Sequence, residues 1–248
     1  MKKLDIIAHR GFSSIAPENT KAAFIAAIEG GADSMEFDVQ FSSDGVPVIF
    51  HDLNLDRTTN GKGKLTEKSL SELKSLDAGI WFDRKFAGEK ILTLVEALEI
   101  FKAIPQFLYF DLKSYSQWSK TEIEKFVEIV TDSGVKEKAV MTSFNDDLNE
   151  GVREVSGNDF MFGHSVAAES SYHAKLAKAV EMGDRFISSK YNILLDNPAL
   201  IEKSKSQGVD IVVWTVDNRE EFQQLIDLGV TRIMTNSLIG KEGSSVAS

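Results

Sequence analysis

The stretch GVDIVVWTVDNREEFQQLIDLGVTRIMT, residues 208–235, holds the fold in miniature. Gly208 precedes a continuous apolar run, Asp210–Val216. The period then changes: Phe222, Leu225 and Ile226 recur at helical spacing, and Gly229 follows them. A second short apolar run, Arg232–Thr235, begins three residues later. Glycine just past a helix suits the left-handed cap position. Runs this continuously apolar are what parallel strands buried on both faces look like. The unit is strand, helix, parallel strand.

The same joint recurs at Gly30-Gly31 before Ser34–Val39 and at Gly134 before Ala139–Thr142. Candidate strands fall at 4–9, 34–39, 107–112, 138–142, 159–163, 185–188, 210–215 and 232–235. The intervening helices announce themselves. Thr93 with Glu96, and Ser119 with Glu122, are T/S-x-x-E capping boxes. Ile123, Phe126, Val127 and Val130 keep the spacing of one buried helical face. Asn197-Pro198 reads as an N-cap followed by proline at the first helical position. Eight alternating units in 248 residues predict an α/β protein of one domain, a (β/α)8 TIM barrel. No G-x-G-x-x-G or Walker sequence argues for an open nucleotide-binding sheet. Two stretches break the rhythm: 40–52 reads as a β-hairpin arm after strand 2, and about 53–92 as an insertion before strand 3. The tail, Gly243–Ser248, is small-residued and reads as frayed.

Composition narrows the function. A formal net charge of -10 with scattered cations argues against nucleic acid as a partner. The absence of cysteine excludes disulfides, thiolate metal sites and thiol nucleophiles. No segment approaches the roughly 18 apolar residues of a membrane span. Asp5 and His9-Arg10 interrupt the N-terminus too soon for a secretory signal. The expectation is a cytoplasmic protein with no integral membrane segment. The oligomeric state is open, a homodimer included.

The hairpin, MEFDVQFSSDGVPVIFHD (35–52), gathers chemistry. Asp44-Gly45 is a two-residue turn signal. With that loop, facing residue numbers sum to 89, which sets His51 across from Asp38, with Glu36 on the same face. Two buried carboxylates two residues apart repel each other unless a cation joins them. They read either as hard oxygen ligands for Mg²⁺ or Ca²⁺ or as part of a rim salt bridge. His9-Arg10-Gly11 ends strand 1 at the same barrel mouth, where Arg10 suits a phosphate. Pro17-Glu18-Asn19-Thr20 opens the first helix, with Asn19 or Thr20 as its cap and Glu18 complementing the dipole. Asp111 and Lys113 share a face at the end of strand 3. They are a third carboxylate and a phosphate contact, or an ordinary ion pair. Trp214 is either packing or a wall of the substrate pocket. His164 and His173 read as structural.

Together these residues resemble a known family. The ordered set is His9-Arg10-Gly11, Pro17-Glu18-Asn19-Thr20, Glu36-x-Asp38, Asp44-Gly45, His51-Asp52, Arg57-Thr58-Thr59 with Gly61, and Trp214-Thr215-Val216. It resembles the glycerophosphodiester phosphodiesterase family, bacterial cytosolic type, from residue 6 to about 240. The resemblance implies one divalent cation, Mg²⁺ or Ca²⁺, on Glu36, Asp38 and Asp111. It implies His9 as general base and His51 as general acid. Arg10 and Lys113 would meet the phosphate, Glu18 would orient His9 or a water, and Asp52 would support the hairpin. The implied reaction releases glycerol 3-phosphate and an alcohol from a small-molecule glycerophosphodiester. Two departures stand out. The family's Glu-x-Lys is Asp111-x-Lys113 here, one methylene shorter. Its late Thr-Asp-x-Pro is Thr235-Asn236-Ser237-Leu238. Two other readings remain. One is a lysophospholipase D-type activity, with Trp81, Phe82 and Phe86 as an apolar surface. The other is a barrel that binds phosphate esters without turnover.

Overall fold

The computed structural model describes residues 3–241, so the reading of the tail at Gly243–Ser248 lies outside the described residues. Strands and helices alternate from β1 (Asp5–His9) through α1 (Lys21–Glu29), β2 (Ser34–Phe41) and the short β3 (Pro47–Ile49). After α2 (Leu70–Ser75) and α3 (Leu94–Phe101) come β4 (Leu108–Leu112), α4 (Lys120–Asp132), β5 (Ala139–Ser143) and α5 (Asp146–Ser156). The chain continues through β6 (Met161–Val166), α6 (Glu169–Met182), β7 (Phe186–Lys190), α7 (Tyr191–Asp196) and α8 (Ala199–Ser206). It closes with β8 (Asp210–Trp214), α9 (Arg219–Asp227) and β9 (Arg232–Thr235). Every strand but β3 is parallel to its neighbours, and β1 pairs with both β2 and β9. The sheet is therefore a closed eight-stranded barrel ringed by helices, a TIM barrel. All eight sequence-read strands are present.

Alternation along the strands divides the side chains. Ile7, Tyr109, Val140, Phe186, Val212 and Met234 cluster inside the barrel. The outward residues pack under the helices. Phe37, for example, meets Phe24, Phe101 and Phe110 at ring separations of 6.5, 4.5 and 4.6 Å. Burying one such ring contributes ~1.5–3 kcal/mol. Both T/S-x-x-E boxes form as read, starting α3 at Thr93 and α4 at Ser119.

Three local readings are corrected. The hairpin pairs Val39 with Ile49 and Phe41 with Pro47, so facing numbers sum to 88, not 89. The loop has three residues, because Gly45 takes a left-handed φ of 68° and the Val46 amide donates to the Ser42 hydroxyl. Asp38 therefore faces Phe50, whose amide donates to its carbonyl, and His51 lies one step beyond the ladder. At α8, Asn197 makes no side-chain cap. Pro198 sits helically at φ -60°, and the Asn197 side-chain Nδ2 donates to Glu169 Oε1. Finally, α7 follows β7 directly, a turn of helix absent from the sequence reading.

The insertion is a satellite core. Leu55, Leu65, Leu73, Ala78 and Ile91 bury the outer hairpin residues Val48 and Phe50. Trp81, Phe82 and Phe86 stack edge-on against one another, and the Trp81 indole donates to the Ala78 carbonyl.

Candidate active site

Strand register assembles the site. His9 is level with Glu36 across the β1–β2 ladder, and Asp38 with Asp111 across β2–β4. Neighbouring strands lie about 4.8 Å apart. With Glu36 and Asp38 both inward, the three carboxylates must meet at the C-terminal mouth. One oxygen from each of Glu36, Asp38 and Asp111 lies within 4.8 Å of the others. Glu36 and Asp38 are buried, at 4% and 1% exposure.

The turn after β1 is equally constrained. Arg10 and Gly11 both take left-handed φ, 57° and 85°. A Cβ on Gly11 would come within 2.7 Å of Ala23 backbone atoms, so only glycine lets α1 pack this close. The turn aims the Arg10 amide at Glu36 Oε2, 3.0 Å away. Its guanidinium reaches Glu18 Oε1 at 2.8 Å and Asp38 Oδ2 at 3.4 Å. Thr20, not Asn19, caps α1. Asn19 instead donates to Asp38 Oδ2 at 2.7 Å. Lys113 Nζ sits between Asp111 Oδ2 (2.6 Å) and Asp38 Oδ1 (2.9 Å).

Electrostatics follow from burial and neighbours. Burial and the adjacent Asp38 push Glu36 well above the ordinary carboxylate range. Burial also raises Asp111. Asp38 is buried too, but Lys113 and Arg10 overcome this and hold it below that range. Burial and Arg10 lower His9 to about 4, so its ring is neutral at physiological pH. The two imidazoles have unlike partners. His9 Nδ1 meets the amide oxygen of Asn236 at 2.7 Å. His51 Nδ1 meets the carboxylate of Asp52 at 2.6 Å. Arg57 braces Asp52 and also bridges to Glu18.

Three carboxylates forced together at a largely buried site fit a hard divalent cation. Asp111 Oδ1 is buried without a hydrogen-bond partner. An orphaned acceptor beside two other carboxylates is what such an ion would satisfy. The residues present therefore fit the group.

His9, Arg10, Glu36, His51, Asp111, Lys113 and Trp214 line one cavity of about 90 Å³. Asp38 lies behind them, bonded to Lys113. Trp214 meets Phe144 edge-on at 5.9 Å across one wall, and the Trp214–Thr215 peptide is cis. Glu18 opens on an adjoining groove with Ser13, Asp217 and Asn236. Its oxygens accept from Arg10 and Arg57, and the His9 ring bonds Asn236. Asn19, Arg57 and Asn236 carry bonds that sequence reasoning missed. Asp52 does more than support the hairpin. Each of the four stands inside or beside a motif already singled out. His164 is buried at 3% exposure and bonded to Asp184. His173 meets Lys203 at the surface.

A closed parallel barrel with acids, bases and imidazoles gathered at its C-terminal mouth is the layout of a (β/α)8 enzyme. A family model described as "Glycerophosphoryl diester phosphodiesterase family" matches residues 9–239, and the chain belongs to that family. A glycerophosphodiester phosphodiesterase of Caldanaerobacter subterraneus subsp. tengcongensis is 36% identical, with 95% of each chain covered. Two solved structures share the fold. One is an Oleispira antarctica phosphodiesterase in complex with the product sn-glycerol-3-phosphate. It has a TM-score of 0.82 and 28% identity, covering 94% of this chain and 93% of that one. The other is a glycerophosphodiester phosphodiesterase from Agrobacterium tumefaciens. Its TM-score is 0.78 with 28% identity, covering 95% and 98%. Membership sets the reaction class as hydrolysis of a glycerophosphodiester. Among the described residues no helix is long and apolar enough to cross a membrane.

Proposed function

We propose that the chain hydrolyses glycerophosphodiesters to glycerol 3-phosphate and an alcohol, using one divalent cation, Mg²⁺ or Ca²⁺, and a histidine acid/base pair. The observation that carries this reading is the unlike pair of imidazoles bordering one cavity with the carboxylate triad. His9, neutral and backed by an amide, suits a base: its Nε2 takes the proton of the attacking hydroxyl. His51, backed by the Asp52 carboxylate, suits the acid that protonates the departing alcohol oxygen. The attacker is water or the substrate's own glycerol hydroxyl, which would give a cyclic phosphate first.

Glu36, Asp38 and Asp111 would hold the cation. When bound, it would supply charge stabilisation to the phosphoryl oxygens. Arg10 and Lys113 add fixed positive charge beside it, held in place by Glu18, Asp38 and Asp111. Trp214 and Phe144 offer an apolar wall to the glycerol carbons. Nothing favours a lysolipid here, since none of Trp81, Phe82 and Phe86 lines the cavity.

The test is release of glycerol 3-phosphate from glycerophosphocholine by metal-stripped protein, with Mg²⁺ or Ca²⁺ added back. Metal-restored turnover is expected, with His9→Ala and His51→Ala each slower by ~10²–10⁴. Full activity after stripping would overturn the metal assignment. Retained turnover in both histidine variants would overturn the acid/base assignment.

A further inference from the structure

His9 can act as a base only if its free nitrogen faces the cavity, and the chain contains a device that settles which nitrogen is free. Asp217, in the loop after β8, is surrounded by donors from the end of β9 and the loop after it. Its Oδ1 accepts from the Thr235 hydroxyl and the Asn236 amide N–H, both at 2.8 Å, and from the Ser237 hydroxyl at 3.2 Å. Its Oδ2 accepts from the Asn236 side-chain Nδ2 at 2.5 Å. An ionised carboxylate accepts and cannot donate. The amide nitrogen of Asn236 must therefore face Asp217, and the amide oxygen must face the other way. That oxygen lies 2.7 Å from His9 Nδ1 and 2.8 Å from the Ser13 hydroxyl. An amide oxygen has no proton, so Nδ1 must supply it. The other ring nitrogen, Nε2, then carries a lone pair. It points toward Glu36, 3.8 Å from Oε2, on the cavity side.

We propose that Asn236, anchored by Asp217, is a positioning residue that holds His9 in its Nδ1–H tautomer and leaves Nε2 as the proton acceptor. The proposal rests on the reading of His9 as the base. It adds a chain of orientation across 227 residues of sequence, from Asp217 through Asn236 to His9. Neither Asp217 nor Asn236 lines the main cavity, so neither is offered as a catalytic residue. They act by fixing one ring in one state.

The test uses metal-stripped protein with ¹⁵N-histidine at neutral pH. The chain has four histidines, so the spectrum of His9→Ala identifies the His9 signals by their loss. Long-range ¹H–¹⁵N spectra distinguish Nδ1–H from Nε2–H. The wild type is expected to show Nδ1–H at His9. Asp217→Ala frees the Asn236 amide to turn, and Asn236→Ala removes the acceptor. Both should mix or reverse the tautomer and lower kcat of the metal-loaded enzyme by ~10–100-fold, with KM within about twofold. Exchanging the pair, Asn236→Asp together with Asp217→Asn, restores an acceptor toward His9 and a donor behind it. It should recover most of kcat. An Nε2–H wild type would overturn the proposal outright. So would a fall in kcat with the tautomer unchanged, or unchanged kcat in both alanine variants. The wild-type spectrum decides even if one variant fails to fold. Should His9→Ala keep its turnover, the base assignment fails separately, and the spectra alone judge the positioning.

Discussion

Removing the Arg57 side chain tests whether the His51 arm is held electrostatically. The guanidinium binds Asp52 at 2.7 and 3.0 Å and Glu18 at 2.6 and 2.8 Å, tying the insertion to the hairpin and to the entry of α1. Arg57 is the foremost reason that Asp52 sits at about 2 instead of 3.8, burial opposing and His51 assisting. Unscreened, that gap is worth ~2.4 kcal/mol. The Arg57 side chain is 45% exposed and Asp52 25%, so solvent screening reduces the figure to about 1 kcal/mol. Glu18, at 14% exposure, adds a comparable amount. Arg57→Ala should therefore cost ~2 kcal/mol and lower Tm by about 4–8 °C. The pH dependence has a definite sign. A carboxylate held below its unfolded value contributes stability that is present above that value and is lost as pH falls through the folded one. The gap between wild type and variant should be full at neutral pH and close between about pH 4 and pH 2. Freed of Arg57, Asp52 no longer fixes the His51 ring, and kcat should fall by ~10-fold or more with KM little changed. Urea denaturation at several pH values and steady-state kinetics read the two arms. A destabilised variant with unchanged kcat would refute the positioning of His51 through Asp52. A pH-independent gap would refute the electrostatic account.

Glycerol 3-phosphate should bind metal-stripped protein at least ~10-fold more weakly than Mg²⁺- or Ca²⁺-loaded protein, by calorimetry; equal affinity would remove the cation from anion binding. Gly11→Ala forces a side chain into a left-handed turn and onto the Ala23 backbone 2.7 Å away. It should cost ~2–5 kcal/mol, seen as a fall in Tm; a variant as stable as wild type would show that α1 can shift freely. Asp184→Asn leaves Arg153 and the buried His164 without their carboxylate. It should cost ~2–4 kcal/mol while kcat/KM stays within about twofold, since His164 is read as structural. Burial opposes the Asp184 charge, but His164 and Arg153 hold its carboxyl below the ordinary range. That stability is present at neutral pH and drains away below the carboxylate range; loss of activity in the folded variant would overturn the structural reading.

The legible and illegible parts of the chain divide by the distance over which information travels. Barrel strands and capping boxes are local: period, β-branching and a Ser or Thr three residues before a Glu suffice, and all eight strands and both boxes stand where the sequence puts them. The hairpin register failed by one residue because Asp44-Gly45 is compatible with two loop lengths. The choice rests on Ser42, whose hydroxyl holds the Val46 amide and makes the longer loop. The carboxylate triad was half visible. Glu36 and Asp38 share a face by alternation alone, whereas Asp111 joins them through the β2–β4 register. Partners such as Asn236 and Arg57 were hidden for a simpler reason. The Asn236 amide oxygen that meets His9 lies 227 residues away, and the Arg57–Glu18 pair spans 39. No periodicity encodes such contacts.

The charge of the site explains why an acidic chain can take an anionic substrate. Its ionisable shell is five carboxylates, Glu18, Glu36, Asp38, Asp52 and Asp111, against three fixed cations, Arg10, Arg57 and Lys113. Fully ionised, that is 3 - 5 = -2, on a chain already at -10. Such a cluster repels a phosphodiester, and it also repels itself. Burial and mutual repulsion raise both Glu36 and Asp111, which is the sign of that strain. The divalent cation proposed for the triad would bring the sum to zero. Arg10 and Lys113 face the cavity, and each is pinned by carboxylates that could otherwise approach the phosphate. With the shell neutral, their charge would be free to act on the extra negative charge that develops during the reaction. On that proposal, the same three carboxylates would govern both the entry of an anion and the effect of the two cations beside it. Replacing Asp111 should accordingly weaken substrate binding and turnover together, although its carboxylate need never touch the substrate.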